Sequence, residues 1–82
     1  MAKILVADDS AFVRVKLVSV LQTAGHDVIE TVDGTTVLKW AIAEQPDVIM
    51  LDLMMPGADG WMTLGDLKMH ESTLDIPVII SS

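Results

Sequence analysis

Three aspartates stand where two apolar runs stop. Ile4-Leu5-Val6-Ala7 leads into Asp8-Asp9, and Asp47-Val48-Ile49-Met50-Leu51 leads into Asp52. Carboxylates at close range repel one another and need a compensating positive charge. No Arg or Lys stands next to them in the sequence, so a hard divalent cation is the natural compensation. Magnesium takes oxygen ligands and typically uses one or two carboxylates together with phosphate oxygens. Zinc fits poorly, because the chain has no cysteine and its two histidines, His26 and His70, lie elsewhere. Acidic capping of a helix start would account for Asp8 or Asp9, but not for Asp52, which no helix follows directly. Beside a bound cation, a strand-end carboxylate such as Asp52 is also a competent nucleophile toward phosphorus. An acyl phosphate on Asp52 is reactive enough to serve as a reversible mark.

These residues need elements that bring them together. A continuous apolar run reads as a strand buried on both faces, as in a parallel sheet. Lys3 to Ala7 is the first strand. Ser10 or a neighbouring Asp can cap a helix with Ala11 to Ala24 as its body. Val13, Leu17, Val20, Leu21 and Ala24 fall on one helical face, while Arg14, Lys16 and Gln22 lie elsewhere and can be solvated. Gly25 suits a left-handed stop. His26 to Val32 reads as a second strand, and Asp33-Gly34 as a turn. A second helix runs from Thr35 or Thr36 to about Glu44, with Val37, Leu38, Ala41 and Ile42 as its stripe and Pro46 forbidding its continuation. Asp47 to Leu51 is the third strand. Met54 to Gly60 carries turn chemistry throughout, and Asp59 can cap a third helix from Gly60 or Trp61 to about His70. After Pro77 comes a last apolar run, Val78-Ile79-Ile80. The order β-α-β-α-β-α-β with right-handed crossovers gives a parallel sheet with helices on both faces. Ligands of such sheets bind beyond the carboxyl ends of the strands, where Asp8, Asp9 and Asp52 would lie.

The bulk properties limit the alternatives. Eighty-two residues form one domain at most, and a chain of this size buries only about 60% of its unfolded surface. With 51% hydrophobic and 21% charged residues it is globular rather than disordered. A net charge of -7, from 12 acidic against 5 basic residues, argues against gripping nucleic acid or an anionic membrane. It suits cations and basic partner surfaces. Nothing approaches the roughly 18 consecutive apolar residues of a membrane span, and the start lacks a signal-peptide core, so a cytoplasmic protein is expected. Lys39 and Lys68 read as solvated helix positions, Met50 as core, and Trp61 as a fluorescent reporter close after the acidic loop.

The whole pattern resembles the receiver domain of two-component response regulators. The resemblance rests on Asp8-Asp9 after the first strand, Asp33-Gly34 after the second, and Asp52-Leu53-Met54-Met55-Pro56-Gly57-Ala58-Asp59-Gly60 after the third. Ile76-Pro77-Val78-Ile79-Ile80-Ser81-Ser82 resembles that family's fourth strand with its terminal hydroxyl. It implies a flavodoxin-like fold with strand order 2-1-3-4. Asp52 would be the phosphoacceptor, taking a phosphoryl group from a phosphohistidine on a sensor histidine kinase or phosphotransfer protein. Asp8, Asp9, Asp52 and the backbone carbonyl of Met54 would hold Mg2+. Ser82 would be the switch hydroxyl, with Ser81 as runner-up. The protein would be a signalling phosphoacceptor, not an enzyme beyond its own phosphorylation and dephosphorylation.

The resemblance also implies a further fourth helix, fifth strand and fifth helix, the strand carrying a lysine that pairs with the phosphoryl group. Residues 1–82 hold no such lysine; Lys3, Lys16, Lys39 and Lys68 fall in other segments. The chain therefore reads as the N-terminal two-thirds of a receiver, truncated after the fourth strand. The fourth strand would then be an open edge, inviting self-association or a segment-swapped dimer. Two rival readings stay in view. A Mg-dependent phosphohydrolase with an Asp nucleophile commonly needs a second Asp two residues on, where this chain has Met54. A phosphate-independent interaction fragment is the other.

Overall fold

In a computed structural model, which describes residues 1–55, 57 and 59–81, the expected alternation is realised. Strand β1 (Lys3–Ala7) is followed by α1 (Ala11–Thr23), β2 (Asp27–Thr31), a 3-10 turn (Gly34–Thr36) leading into α2 (Val37–Glu44), β3 (Val48–Asp52), α3 (Gly60–Met69) and β4 (Val78–Ser81). All strand pairs are parallel, in the order β2-β1-β3-β4. The chain steps from β1 outward to β2, then reverses direction across β1 to β3 and β4. With every crossover right-handed, that reversal sends α1 to one face of the sheet and α2 and α3 to the other. The reversal point, between β1 and β3, is where an open sheet leaves its crevice.

Local chemistry sets the element ends. The Ser10 hydroxyl accepts a bond from the Val13 N–H at 3.3 Å and starts α1. Gly25, at φ 92°, ends it as expected. Gln45 adopts the left-handed conformation at φ 47° to close α2 one residue before Pro46. Asp59 Oδ1 accepts from the Trp61 N–H at 2.8 Å and starts α3. Several boundaries differ from the sequence reading by a residue or two. β2 is one residue shorter at each end, α2 begins only after the 3-10 turn, and β3 extends to Asp52 because Ser81 of β4 pairs with it.

The core lies between the sheet and the α2/α3 layer. Leu5, Ala7, Ile49 and Leu51 alternate along β1 and β3 onto that face and pack with Val37, Ala41, Met55 and Leu67. Each fully buried Leu or Ile there contributes about 2 kcal/mol. On the opposite face Ile4 and Val6 are buried under α1, where Val18 is the one buried residue of the helix. This corrects the stripe expected for α1. Val13, Val20 and Ala24 are exposed, and the inward face runs through Arg14, Leu17, Val18 and Leu21. The helix is apolar nearly all round, so periodicity alone could not select its buried side. Lys68 is likewise not simply solvated: its Nζ donates to the carbonyls of Leu74 at 3.2 Å and Ile76 at 2.8 Å, bracing the approach to β4.

Candidate functional site

The site is set by register. Ala7 pairs with Leu51, so the next residues, Asp8 and Asp52, leave neighbouring strands at the same level. Asp8, Asp9 and Asp52 each present a carboxylate oxygen, and these oxygens all lie within 4.8 Å of one another. Asp8 and Asp52 are 5% and 8% exposed, whereas Asp9 faces solvent. The three aspartates expected to converge therefore do so.

Each buried carboxylate is held by one of its two oxygens. Asp8 Oδ1 accepts from the Ser10 N–H at 2.9 Å, and Asp52 Oδ1 accepts from the Met54 N–H at 2.9 Å. Asp-to-i+2 bonds of this kind shape turns leaving a strand. Among the described residues, no donor reaches the second oxygen of either group. The donor set facing the crevice is thus carboxylate oxygen alone, which suits a hard cation such as Mg2+ and not a nitrogen- or sulfur-seeking metal. The Met54 side chain is 78% exposed, so this residue serves the site through its backbone.

The other expected residues fall differently. Ser81 ends β4 as the register partner of Asp52, which brings the runner-up hydroxyl residue to the level of that carboxylate. Ser82 lies outside the described residues. Lys3 is near Glu44, at 3.7 Å, and donates to its carbonyl; Lys16 lies over the Phe12 ring; Lys68 is committed to the carbonyls before β4.

The sequence reading missed one basic residue. Arg14, placed off the expected apolar stripe, donates its Nη1 to the backbone carbonyl of Asp8 at 2.9 Å and its Nε to Glu30 Oε1 at 3.2 Å. The available signal was position: Arg14 lies one helical turn below Val18 and one further turn from Leu21, the residues that define the inward face of α1.

Loop packing completes the β3 side. A Cβ on Gly60 would strike the Leu53 backbone, coming within 2.7 Å of its carbonyl carbon, so α3 starts flush against the turn that follows Asp52. Gly57, at φ 92°, sits against the Asp33 carboxylate, tying the turn after β2 to the loop after β3.

Comparison with known proteins agrees with this geometry. The family model for the response regulator receiver domain matches residues 4–82. The DNA-binding dual master transcriptional regulator RpaA of Synechocystis is 44% identical over 98% of this chain, and the chain covers 33% of that protein. Protein PilH of Pseudomonas aeruginosa is 39% identical over 98% of this chain, which covers 66% of it. The crystal structure of the N-terminal domain of a response regulator receiver protein from Methanoculleus marisnigri superposes with a TM-score of 0.92 at 38% identity, covering 98% of this chain and 65% of that one. The chain thus spans a third to two-thirds of the length of these relatives. On the site, the topology and the matched residues together, the chain belongs to the response regulator receiver domain family.

Proposed function

We propose that this chain is the phosphoacceptor part of a two-component response regulator, with Asp52 as the residue that takes the phosphoryl group. The observation that carries the reading is the convergence of Asp8, Asp9 and Asp52 oxygens within 4.8 Å at the sheet's reversal point. The donor is the phosphohistidine of a sensor histidine kinase or phosphotransfer protein. A carboxylate oxygen of Asp52 forms a bond to phosphorus as the P–N bond to the imidazole breaks, and the electron pair leaves with the imidazole. Asp8, Asp9 and Asp52, with the Met54 carbonyl, hold Mg2+. When bound, Mg2+ supplies charge compensation for the transferring phosphoryl oxygens. Asp8 and Asp52 keep one oxygen each on a backbone N–H, which fixes their orientation before any ion or donor arrives. The hydroxyl that reads the phosphoryl group belongs to Ser82 or Ser81. The protein acts as a switch for an output or partner in the cytoplasm rather than as an enzyme with turnover on free substrates.

The chain spans 65% of the N-terminal receiver-domain structure it matches, and residues 1–82 hold no counterpart of the family's phosphoryl-pairing lysine. Among the described residues strand β4 has one neighbour in the sheet, and Ile79 and Ile80 are 51% and 41% exposed. That edge favours self-association or segment exchange; a monomer mass by light scattering at high concentration would count against it.

The decisive experiment is incubation with Mg2+ and acetyl phosphate, read by intact mass. One added phosphoryl group is expected, lost on chelation of Mg2+ and in Asp52→Asn. Label persisting in Asp52→Asn would overturn the assignment. Sustained hydrolysis of many phosphate esters would favour a phosphohydrolase instead.

A further inference from the structure

Arg14 stands behind the acidic site without belonging to its ligand set. Its side chain is only 17% exposed, in the second turn of α1. The guanidinium spans two elements, bonding the Asp8 carbonyl at the end of β1 and the Glu30 carboxylate on β2. Its planar fork lets it hold both at once in fixed geometry. The Asp8 carbonyl is part of the rigid peptide plane that also contains the Asp9 nitrogen. Fixing that carbonyl therefore fixes the N–Cα bond of Asp9, the axis about which its side chain leaves the backbone. Asp9 needs this help, because its carboxylate is exposed and, among the described residues, accepts no hydrogen bond. Asp8, by contrast, is held three further ways: by burial, by its N–H to the Thr31 carbonyl at 3.1 Å, and by its Oδ1 to Ser10.

We propose that Arg14, braced by Glu30, is a positioning residue for the cation site: it clamps the Asp8–Asp9 peptide and so keeps the Asp9 carboxylate within reach of Asp8 and Asp52. The inference rests on the Mg2+ reading above. It makes a prediction opposite in sign to simple electrostatics. A guanidinium close to the site repels a divalent cation, so removing its charge alone would tighten Mg2+ binding. Removing a clamp that orients a ligand weakens binding, commonly by 10-fold or more for residues that support metal ligands.

Mg2+ affinity measured by titration calorimetry on the full chain decides between them, with circular dichroism to establish folding. Arg14→Met is expected to weaken Mg2+ binding about tenfold. Arg14→Lys, which keeps the charge but lacks the fork, is expected to fall between Arg14→Met and the parent. In an Asp9→Asn background, where the clamped ligand is already lost, Arg14→Met should have little further effect. Unchanged or tighter binding in both Arg14 variants overturns the proposal, as does an equal loss with and without Asp9. If Arg14→Met does not fold, Arg14→Lys carries the decision by the same criterion. A parent chain that binds no Mg2+, or binds it equally well as Asp9→Asn, fails the metal reading itself and this proposal with it. Normal parent binding, lost in Asp9→Asn but untouched in the Arg14 variants, fails this proposal alone.

Discussion

Asp8 and Asp52 accept the same bond, from the backbone N–H two residues on and at the same 2.9 Å, but what stands behind them differs. Behind Asp8 is a polar side-chain network: Ser10 capping α1, Arg14 on the Asp8 carbonyl, and Glu30 on Arg14. Behind Asp52 is backbone packed on backbone. β1 and β3 are both interior strands, but only after β3 does a helix start flush on the following turn, with Gly60 directly on the Leu53 main chain. Side-chain networks exchange water bonds for protein bonds and lose a fraction of their strength when one member goes. Close-packed backbone has no such gradation, because an added atom has nowhere to go. The β1 half of the site is therefore adjustable, and the β3 half is all-or-none.

The largest expected effect breaks the β3 half. Gly60→Ala places a methyl group on the Leu53 backbone, and relief requires α3 to move away from the loop. A cost of about 3 kcal/mol is expected, a large share of the stability of so small a domain. Thermal unfolding followed by circular dichroism should show either a steep fall in midpoint or no folded baseline. A variant with an unchanged midpoint would remove the distinction between the two halves.

A smaller effect probes the β1 half. Ser10→Ala removes the hydroxyl that caps α1 but leaves the Ser10 N–H that holds Asp8 Oδ1. The expected cost is about 1 kcal/mol in denaturant unfolding, with Mg2+ affinity nearly unchanged. A loss as great as that of Gly60→Ala would show that the network behind Asp8 is as unforgiving as the packing behind Asp52. Smaller still is Met54→Ala. The Met54 side chain is 78% exposed and the N–H that holds Asp52 remains, so stability should stay within about 0.5 kcal/mol.

The same contrast governs what could be read from the sequence. The β3 half was legible because apolar runs, Pro46, the Gly-containing loop and the capping Asp59 each specify backbone locally. The alternating parallel α/β class followed from those signals, whereas the strand order that brings Asp8, Asp9 and Asp52 together came from the family resemblance. The β1 half was read less well. Choosing the buried face of α1 required knowing how the helix docks, and with apolar residues at Phe12, Val13, Val15, Leu17, Val18, Val20 and Leu21 the pattern admits more than one answer. The stripe chosen left Arg14 off the inward face and hid its bond to Asp8. Lys68 was misread for a related reason: its carbonyl partners, Leu74 and Ile76, reach it only through a turn that propensity does not define. Propensity specifies the backbone of each element, whereas a side-chain bond shows only once the docking of the element that carries it is known.

The turn after β2 offers the finest test, because it repeats the aspartate bond on the surface and links to the β3 half. Asp33 Oδ1 accepts from the Thr35 N–H and from the Thr35 hydroxyl, both at 2.8 Å, and its carboxylate lies against Gly57. The backbone bond from Thr35, and then the hydroxyl bond, hold the Asp33 carboxyl below its ordinary value of 3.8. The charged form is thus favoured by folding. Its contribution to stability is complete above the unfolded value and is lost as pH falls from there through the lower folded value. The parent should therefore exceed Asp33→Asn in stability near neutral pH, and the gap should close as pH falls below 3.8. Taking the difference between the two chains cancels titration of the other carboxylates. A gap independent of pH would mean that the Thr35 bonds do not depend on the charge, and that this turn belongs with the packed half of the site rather than the polar one.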